Sequence, residues 1–221
     1  MVRDSSRYTY LSRRRSSAAL SLASVLAAIA PLSVAQAAHI PYPPVNDTAE
    51  LRRTVTNALN ALEPTLLTLD TLGQLKGPCP PHLRDQLDAD IQHLQVDSQE
   101  FRAHAQAMQV RGPAYLEEWQ EHLTGATDPD LRQLAGERHL ELQSNFATIK
   151  EGSQQTSEGL KTFLSDVTPL RRALENESAT GLSTSTKDLV RKASQDGQQV
   201  KRKFERLKRE LDLAAANLKK E

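Results

Sequence analysis

The chain has 221 residues, carries no net formal charge at pH 7 and contains only 4% aromatic residues. This composition is typical of long helices with seams of Leu and Ala, whereas a β-sandwich needs more aromatic and β-branched residues. The charge is uneven: residues 1–37 hold five Arg and one Asp, which leaves 23 basic and 27 acidic residues, a net charge of −4, in the remainder. This mildly acidic body argues against a nucleic-acid partner.

The N-terminal segment has the pattern of an export signal. The basic stretch Arg13-Arg14-Arg15 precedes a long apolar segment, which ends in an Ala-x-Ala cleavage site at Ala37. We therefore expect a signal peptide over residues 1–37 and a soluble, periplasmic mature protein. The alternative is an uncleaved segment that anchors the protein in a membrane, but Pro31 and the interspersed Ser residues count against it. The Pro-rich residues 38–46 predict an extended linker.

The first predicted helix covers about residues 47–75. Its start, Asp47-Thr48-Ala49-Glu50, has the pattern of a capping box, and Pro64 should kink or divide the helix. The stretch Gly77-Pro78-Cys79-Pro80-Pro81 then ends helical structure. Cys79 is the only cysteine, so no internal disulfide can form. We expect an unpaired loop thiol, with an intermolecular disulfide as the alternative.

The second predicted helix covers about residues 83–123. Its apolar seam has gaps of four and three residues, which is a heptad pattern. The pair Gly112-Pro113 interrupts this stretch, and Pro inside a helix costs about 3 kcal/mol. The seam nevertheless stays in phase through Gly112, Tyr115 and Trp119. The sequence therefore predicts one helix of about 60 Å that continues through the proline with a local kink.

Two more helices are predicted over about residues 130–175 and 185–219. The first follows a turn at Asp128-Pro129 and contains Pro169, where a second kink is expected. Residues 176–183 read as a loop, and Ser185-Thr186-Lys187-Asp188 is expected to cap the last helix.

The predicted fold is a single all-α coiled-coil domain over residues 47–220. Because short loops join long helices, we expect a long antiparallel three-helix coiled-coil bundle, with the shorter N-terminal helix as a fourth helix along its outside or against another copy. Large side chains should face small ones across the bundle. Folding the second helix back on the third about residue 127, and the third on the fourth about residue 180, gives the expected pairs Met108–Phe146, Gly112–Leu142, Phe163–Gly197, Trp119–Ala135 and Tyr115–His139.

No motif in the sequence indicates catalysis, so the chain is predicted not to be an enzyme and to hold no cofactor. His82, His93 and His104 recur every eleven residues, about 16 Å apart along a helix, which is too far to share a metal ion. His139 is expected to be a core histidine.

Three hydroxyl side chains form a polar layer inside the expected bundle: Ser98, Ser153 and Thr156. One interpretation is a small polar cavity for a ligand. The other, which we favour, is that these hydroxyls make room for neighbouring Phe side chains and donate hydrogen bonds to carbonyls of their own helices.

One basic cluster lies in the last helix, within KRKFERLKRE. Its possible anion-contacting residues are Lys201, Arg202, Lys203, Arg206, Lys208 and Arg209. Behind an export signal, the anions that such a face could meet are membrane head groups or envelope polymers. Partial pairing with Glu205 and Glu210 along a solvated helix face is the simpler interpretation.

Three stretches carry a resemblance to a known family: MQVRGPAYLEEWQEHL, DLRQLAGERHLELQSNF and LKTFLSDVTPLRRALENES. Across about residues 100–215 the chain resembles the domain of unknown function 2959 family, a group of exported bacterial coiled-coil proteins. The resemblance implies an exported coiled coil and supplies neither an activity nor catalytic residues. Many members look like lipoproteins, whereas this chain lacks a lipobox Cys.

The sequence thus favours an exported, non-enzymatic coiled-coil protein that acts as a cell-envelope scaffold or binding module. Its expected partners are an envelope protein or an anionic envelope polymer, with peripheral membrane contact and homo-oligomers as further options. The alternative is a periplasmic, chaperone-like holdase that presents the Leu-rich first helix, TLLTLDTLGQL, to unfolded clients.

Overall fold

The structure, a computed structural model, describes residues 45–125, 127–176 and 181–218. These residues form four helices: α1 (Val45–Gly73), α2 (Pro81–Gly125), α3 (Pro129–Asn176) and α4 (Thr184–Leu218). No strand occurs within these ranges. The predicted signal peptide and most of the predicted linker lie outside the described residues. The all-helical prediction is confirmed, and the four helices begin and end within two residues of their predicted bounds.

The helix starts are set by capping residues, although not all are those expected. Asp128 accepts backbone hydrogen bonds at its Oδ1 from Asp130 (2.9 Å) and Leu131 (3.4 Å), and α3 begins at Pro129, one residue before the predicted start. Ser183, rather than Ser185, accepts the backbone N–H of Thr186 at the start of α4.

Asp47 does not cap α1, because the helix already begins at Val45. Its carboxylate instead lies 2.7 Å from Arg111 on α2. Asp47, which the sequence predicts as a cap of α1, therefore forms an ion pair between α1 and α2.

All three internal prolines lie within continuous helices. α2 runs through Pro113 and α3 through Pro169, as predicted. α1 also runs through Pro64, so the possible division of this helix does not occur. Packing along the seams therefore outweighs the missing N–H of each proline.

The first helix is a full member of the bundle, and the expected three-helix core with α1 outside it is wrong. α1 packs against α2 and α4, and α3 packs against the same two helices. The apolar side of α1 is covered: Leu51, Leu62 and Leu69 are fully buried. Four helices therefore share one apolar core, because the seam of α1 occupies a side that the three-helix arrangement left open.

Contacts of α4 define its alignment with two neighbours. A Cβ atom placed on Gly197 would lie 2.6 Å from Leu66 Cδ2 of α1 and 3.0 Å from the Phe163 ring of α3. The expected pair Phe163–Gly197 is confirmed. Towards the other end of α4, Arg138 of α3 donates a hydrogen bond to the carbonyl of Asn217 (2.7 Å).

The alignment of α2 with α3 differs from the prediction by about one helical turn. Phe146, expected opposite Met108, lies against Gly112, where an added Cβ would be 3.0 Å from its ring. Trp119 meets His139 rather than Ala135, with ring centroids 6.3 Å apart. This alignment places the large Phe146 ring in the space that the glycine leaves, which satisfies close packing better than Leu142 would.

An aromatic pair joins α2 to α4 in the core. Phe101 of α2 packs edge-on against Phe204 of α4, with ring centroids 5.1 Å apart. Both rings are fully buried. Edge-to-face aromatic pairs add about 0.5–1.5 kcal/mol beyond the burial of their area.

A buried polar bridge joins α1 to α2. Thr68 Oγ1 donates to Asp90 Oδ2 (2.8 Å), and Gln86 Nε2 donates to Asp90 Oδ1 (2.7 Å). Both oxygens of this buried carboxylate are thereby satisfied, which is what burial of a charged group requires. No pattern in the sequence predicted this bridge.

Cys79 is buried in the α1–α2 connection, with only 2% of its surface exposed. Its thiol lies 3.7 Å from the Pro80 carbonyl. Burial raises the pKa of the Cys79 thiol, an effect that Arg84 partly opposes. This burial limits the access that the alternative intermolecular disulfide needs.

Two glycine substitutions test the packing at Gly197. Replacing either Gly197 or Gly136 by Ala gains the same intrinsic helix propensity, but no atom lies within 4 Å of a Cβ at Gly136. The comparison therefore isolates overpacking against Leu66 and Phe163. We expect Gly197→Ala to have a free energy of unfolding about 1–3 kcal/mol below that of Gly136→Ala in urea titrations. Equal stability of the two variants would contradict the packing.

Candidate functional site

The predicted basic residues lie on α4, but they do not form one free cationic face. Lys201 Nζ is 2.9 Å from Glu63 Oε1 of α1, and this partner raises the pKa of Lys201. Lys203 Nζ donates to the Gln155 carbonyl of α3 (3.2 Å). These two lysines therefore join α4 to its neighbours.

The remaining arginines form what we call the arginine stripe: Arg202, Arg206 and Arg209. Their spacing of four and three residues puts them on one face of α4, and all three are exposed. Phe204 and Leu207 of the same segment are fully buried, so the stripe faces away from the core. Within the described ranges, no ion pair or hydrogen bond engages an arginine of this stripe. The stripe is thus available to an external anion, over about 10 Å of helix.

Glu210 lies beside the stripe on the α3 side and does not neutralise it fully. Its Oε2 is buried without a hydrogen-bond partner among the described residues, and a Cβ placed on Gly152 would be 2.8 Å from it. Burial raises the pKa of Glu210; Arg206 and Arg209 lower it, and Glu151 of α3 raises it further. When Glu210 is ionised, its buried oxygen has lost contact with water and gains no hydrogen bond in return, so burial disfavours the charged form.

A groove of about 440 Å³ opens between α2 and α3. Its floor is apolar and includes the buried residues Ala105, Met108 and Ile149. Gly112 and Pro113 form part of its α2 wall, opposite Phe146 of α3. Gly112 has no side chain, so the Phe146 ring packs directly against the α2 backbone at this level of the groove.

Ser153 lies in the floor of this groove and has no partner for its hydroxyl. Ser98 donates to the Leu94 carbonyl, and Thr156 donates to the Gly152 carbonyl (2.7 Å), as we favoured from the sequence. The Ser153 residue is only 1% exposed, and its Oγ makes no hydrogen bond to any described group. The polar layer therefore contains one unsatisfied hydroxyl, which is uncommon for a buried side chain.

An aromatic cluster lies at the far end of the groove. Tyr115 packs edge-on against Trp119 at 5.8 Å and contacts Phe146 at 6.5 Å, measured between ring centroids. Burial raises the pKa of the Tyr115 phenol. The expected pairing of Tyr115 with His139 gives way to the Trp119–His139 contact because of the one-turn shift. His139 lines the groove, and its Nδ1 has no hydrogen-bond partner among the described groups.

Among residues 45–125, 127–176 and 181–218, no group of three or more His, Cys, Asp or Glu side chains could hold a metal ion. None of the four helices is long and apolar enough to cross a membrane.

A comparison with known protein families, with curated proteins and with solved structures finds no match to this chain. The resemblance to the domain of unknown function 2959 family therefore stays a prediction. The functional interpretation rests on the arginine stripe and the groove themselves.

Glu210 should make the stability of the folded state depend on pH. A carboxyl group whose pKa is raised by folding destabilises the folded state when it is ionised, and this penalty disappears as the pH falls through the folded-state pKa. We expect Glu210→Gln to raise the urea midpoint at pH 7. The gain should shrink in titrations at acidic pH, where the Glu210 carboxyl becomes protonated.

Glu158→Gln is the matched control, since Glu158 is exposed on α3. It should leave the urea midpoint nearly unchanged at both pH values. A lower midpoint for Glu210→Gln at pH 7 would show that the Glu210 carboxylate has stabilising partners instead.

Proposed function

We propose that the chain is an exported, non-enzymatic helical bundle that serves as a scaffold or binding module in the cell envelope. In this proposal the arginine stripe of α4 binds an anionic envelope surface. The observation that carries the proposal is the exposure of Arg202, Arg206 and Arg209 on one face without an ion pair inside the described structure. The export step rests on the signal-like sequence of residues 1–37.

The proposed scaffold is a long antiparallel coiled coil. Its support comes from contacts in which residue numbers rise on one helix as they fall on the next: Arg111 of α2 meets Asp47 of α1, and Asp90 meets Thr68. Along α2, buried residues recur at gaps of three and four from Ile91 to Trp119. Such seams are the pattern of knobs-into-holes packing.

A rigid bundle holds the stripe in a fixed geometry. Phe204 and Leu207 anchor the same helical turns in the core, so the three guanidinium groups project from one side. Guanidinium groups pair with phosphate and carboxylate oxygens in a bidentate manner, which suits lipid head groups and anionic polymers. Lys201 and Lys203 support the arrangement because they hold α4 against α1 and α3.

The holdase alternative requires an exposed apolar surface on the Leu-rich segment of α1. Leu66, Leu69 and Leu72 of the Leu-rich segment are buried in the bundle, whereas Leu67 is 69% exposed. An isolated exposed leucine is ordinary on a protein surface and is not a client-binding patch. The geometry therefore favours the scaffold or binding module.

Vesicle binding tests the proposal. The purified protein should sediment with vesicles that contain phosphatidylglycerol but not with phosphatidylcholine vesicles, and added salt should weaken the binding. Each basic residue near an anionic membrane contributes about 1 kcal/mol. The triple variant Arg202→Gln/Arg206→Gln/Arg209→Gln should therefore bind about a hundredfold more weakly.

The matched control removes three exposed charges outside the stripe: Lys76→Gln/Lys161→Gln/Lys187→Gln. This variant should retain most of the binding, because its lysines are scattered over different parts of the bundle. An equal loss in both triple variants would assign the effect to net charge rather than to the stripe. Absence of binding to phosphatidylglycerol vesicles would reject membrane head groups as the anion.

A further inference from the structure

The groove between α2 and α3 has features of a ligand site that the arginine stripe does not explain. Its volume of about 440 Å³ lies within the range of roughly 300–1,000 Å³ that is usual for small-molecule sites. It extends along α3 from His139 to Ser153, about 21 Å. A site of this shape suits an elongated ligand.

The floor and the ends of the groove differ in chemistry. Met108, Ile149 and Phe146 supply apolar contact area along its length. At one end, the buried Ser153 hydroxyl lacks a partner, and Lys150 stands one turn away on the exposed rim. Lys150 makes no hydrogen bond or ion pair within the described part of the chain. At the other end, Glu117 lies on the rim.

Lys150 and the partnerless Ser153 hydroxyl indicate an orientation for a bound molecule. An anionic head group at the Lys150 end would receive a charge-assisted hydrogen bond from Nζ and one from the Ser153 O–H. The same head group at the opposite end would meet the Glu117 carboxylate. An apolar chain would then run past Gly112 and Phe146.

We propose that this groove binds a single-chain amphipath with a carboxylate head group, of the fatty-acid class. The carboxylate pairs with Lys150 and accepts a hydrogen bond from Ser153. The chain lies on Met108, Ile149 and Phe146. The site is separate from the arginine stripe and does not require it.

Isothermal titration of the full chain with dodecanoate, below the concentration at which it forms micelles, tests this site. We expect saturable binding of one dodecanoate per chain. Lys150→Gln should weaken dodecanoate binding about fivefold and leave dodecanol binding nearly unchanged, since dodecanol has no charge. Ser153→Ala should weaken both probes, because both need its hydroxyl.

Two blocking variants place a large side chain on the exposed rim: Ala147→Phe and Gln143→Trp. Each should abolish the binding of both probes while the helical circular dichroism stays unchanged. Lys161→Gln removes an exposed lysine from the same helix, outside the groove, and should bind dodecanoate as the wild type does. The triple variant of the arginine stripe should also bind normally, which separates this site from the proposed envelope-binding surface.

Three results would overturn the proposal. The first is a lack of dodecanoate binding by the wild-type chain. The second is binding that persists in both folded blocking variants. The third is an equal effect of Lys150→Gln on dodecanoate and dodecanol, which would show that no carboxylate sits at that end.

Discussion

Close packing around Gly197 determines how three helices of the bundle, α1, α3 and α4, fit together. α4 presents no side chain at this position, and Leu66 of α1 and Phe163 of α3 both fill the vacant space. A larger residue there would push against two neighbouring helices at once. The close approach admits α1 to the core and fixes how α4 is rotated, so that Phe204 points inwards and Arg202, Arg206 and Arg209 face solvent.

Heptad periodicity predicted much of the fold. The phase of the seam through Gly112 to Trp119 correctly predicted that α2 continues through Pro113. Periodicity does not determine axial alignment, because a shift of one turn brings the same apolar side back to the interface. The sizes of Phe146 and Gly112 decide between the two alignments of α2 and α3. The sequence did not predict that α1 belongs to the core. Periodicity leaves this open as well, because the apolar seam of α1 fits equally well on the outside of a three-helix core or within a four-helix core.

The candidate sites were predictable in part. The charges of the basic cluster are evident from the sequence, but which of them are free depends on residues from other helices, such as Glu63 opposite Lys201. The groove combines residues of two helices that lie more than thirty positions apart in the sequence. The sequence places both Ser153 and Ser98 in a polar layer. Only the structure distinguishes them: the Ser98 hydroxyl donates a hydrogen bond to the Leu94 carbonyl of its own helix, whereas the Ser153 hydroxyl has no partner among the described groups.

The neighbours of the Gly197 α-protons in solution report most directly whether α1 lies in the shared core. An isotope-edited nuclear Overhauser spectrum of the purified protein can report it without any substitution. We predict cross-peaks from these protons both to a Leu66 methyl group and to the Phe163 ring. Cross-peaks to Phe163 with none to Leu66 would contradict the account, because α1 would then lie outside the shared core.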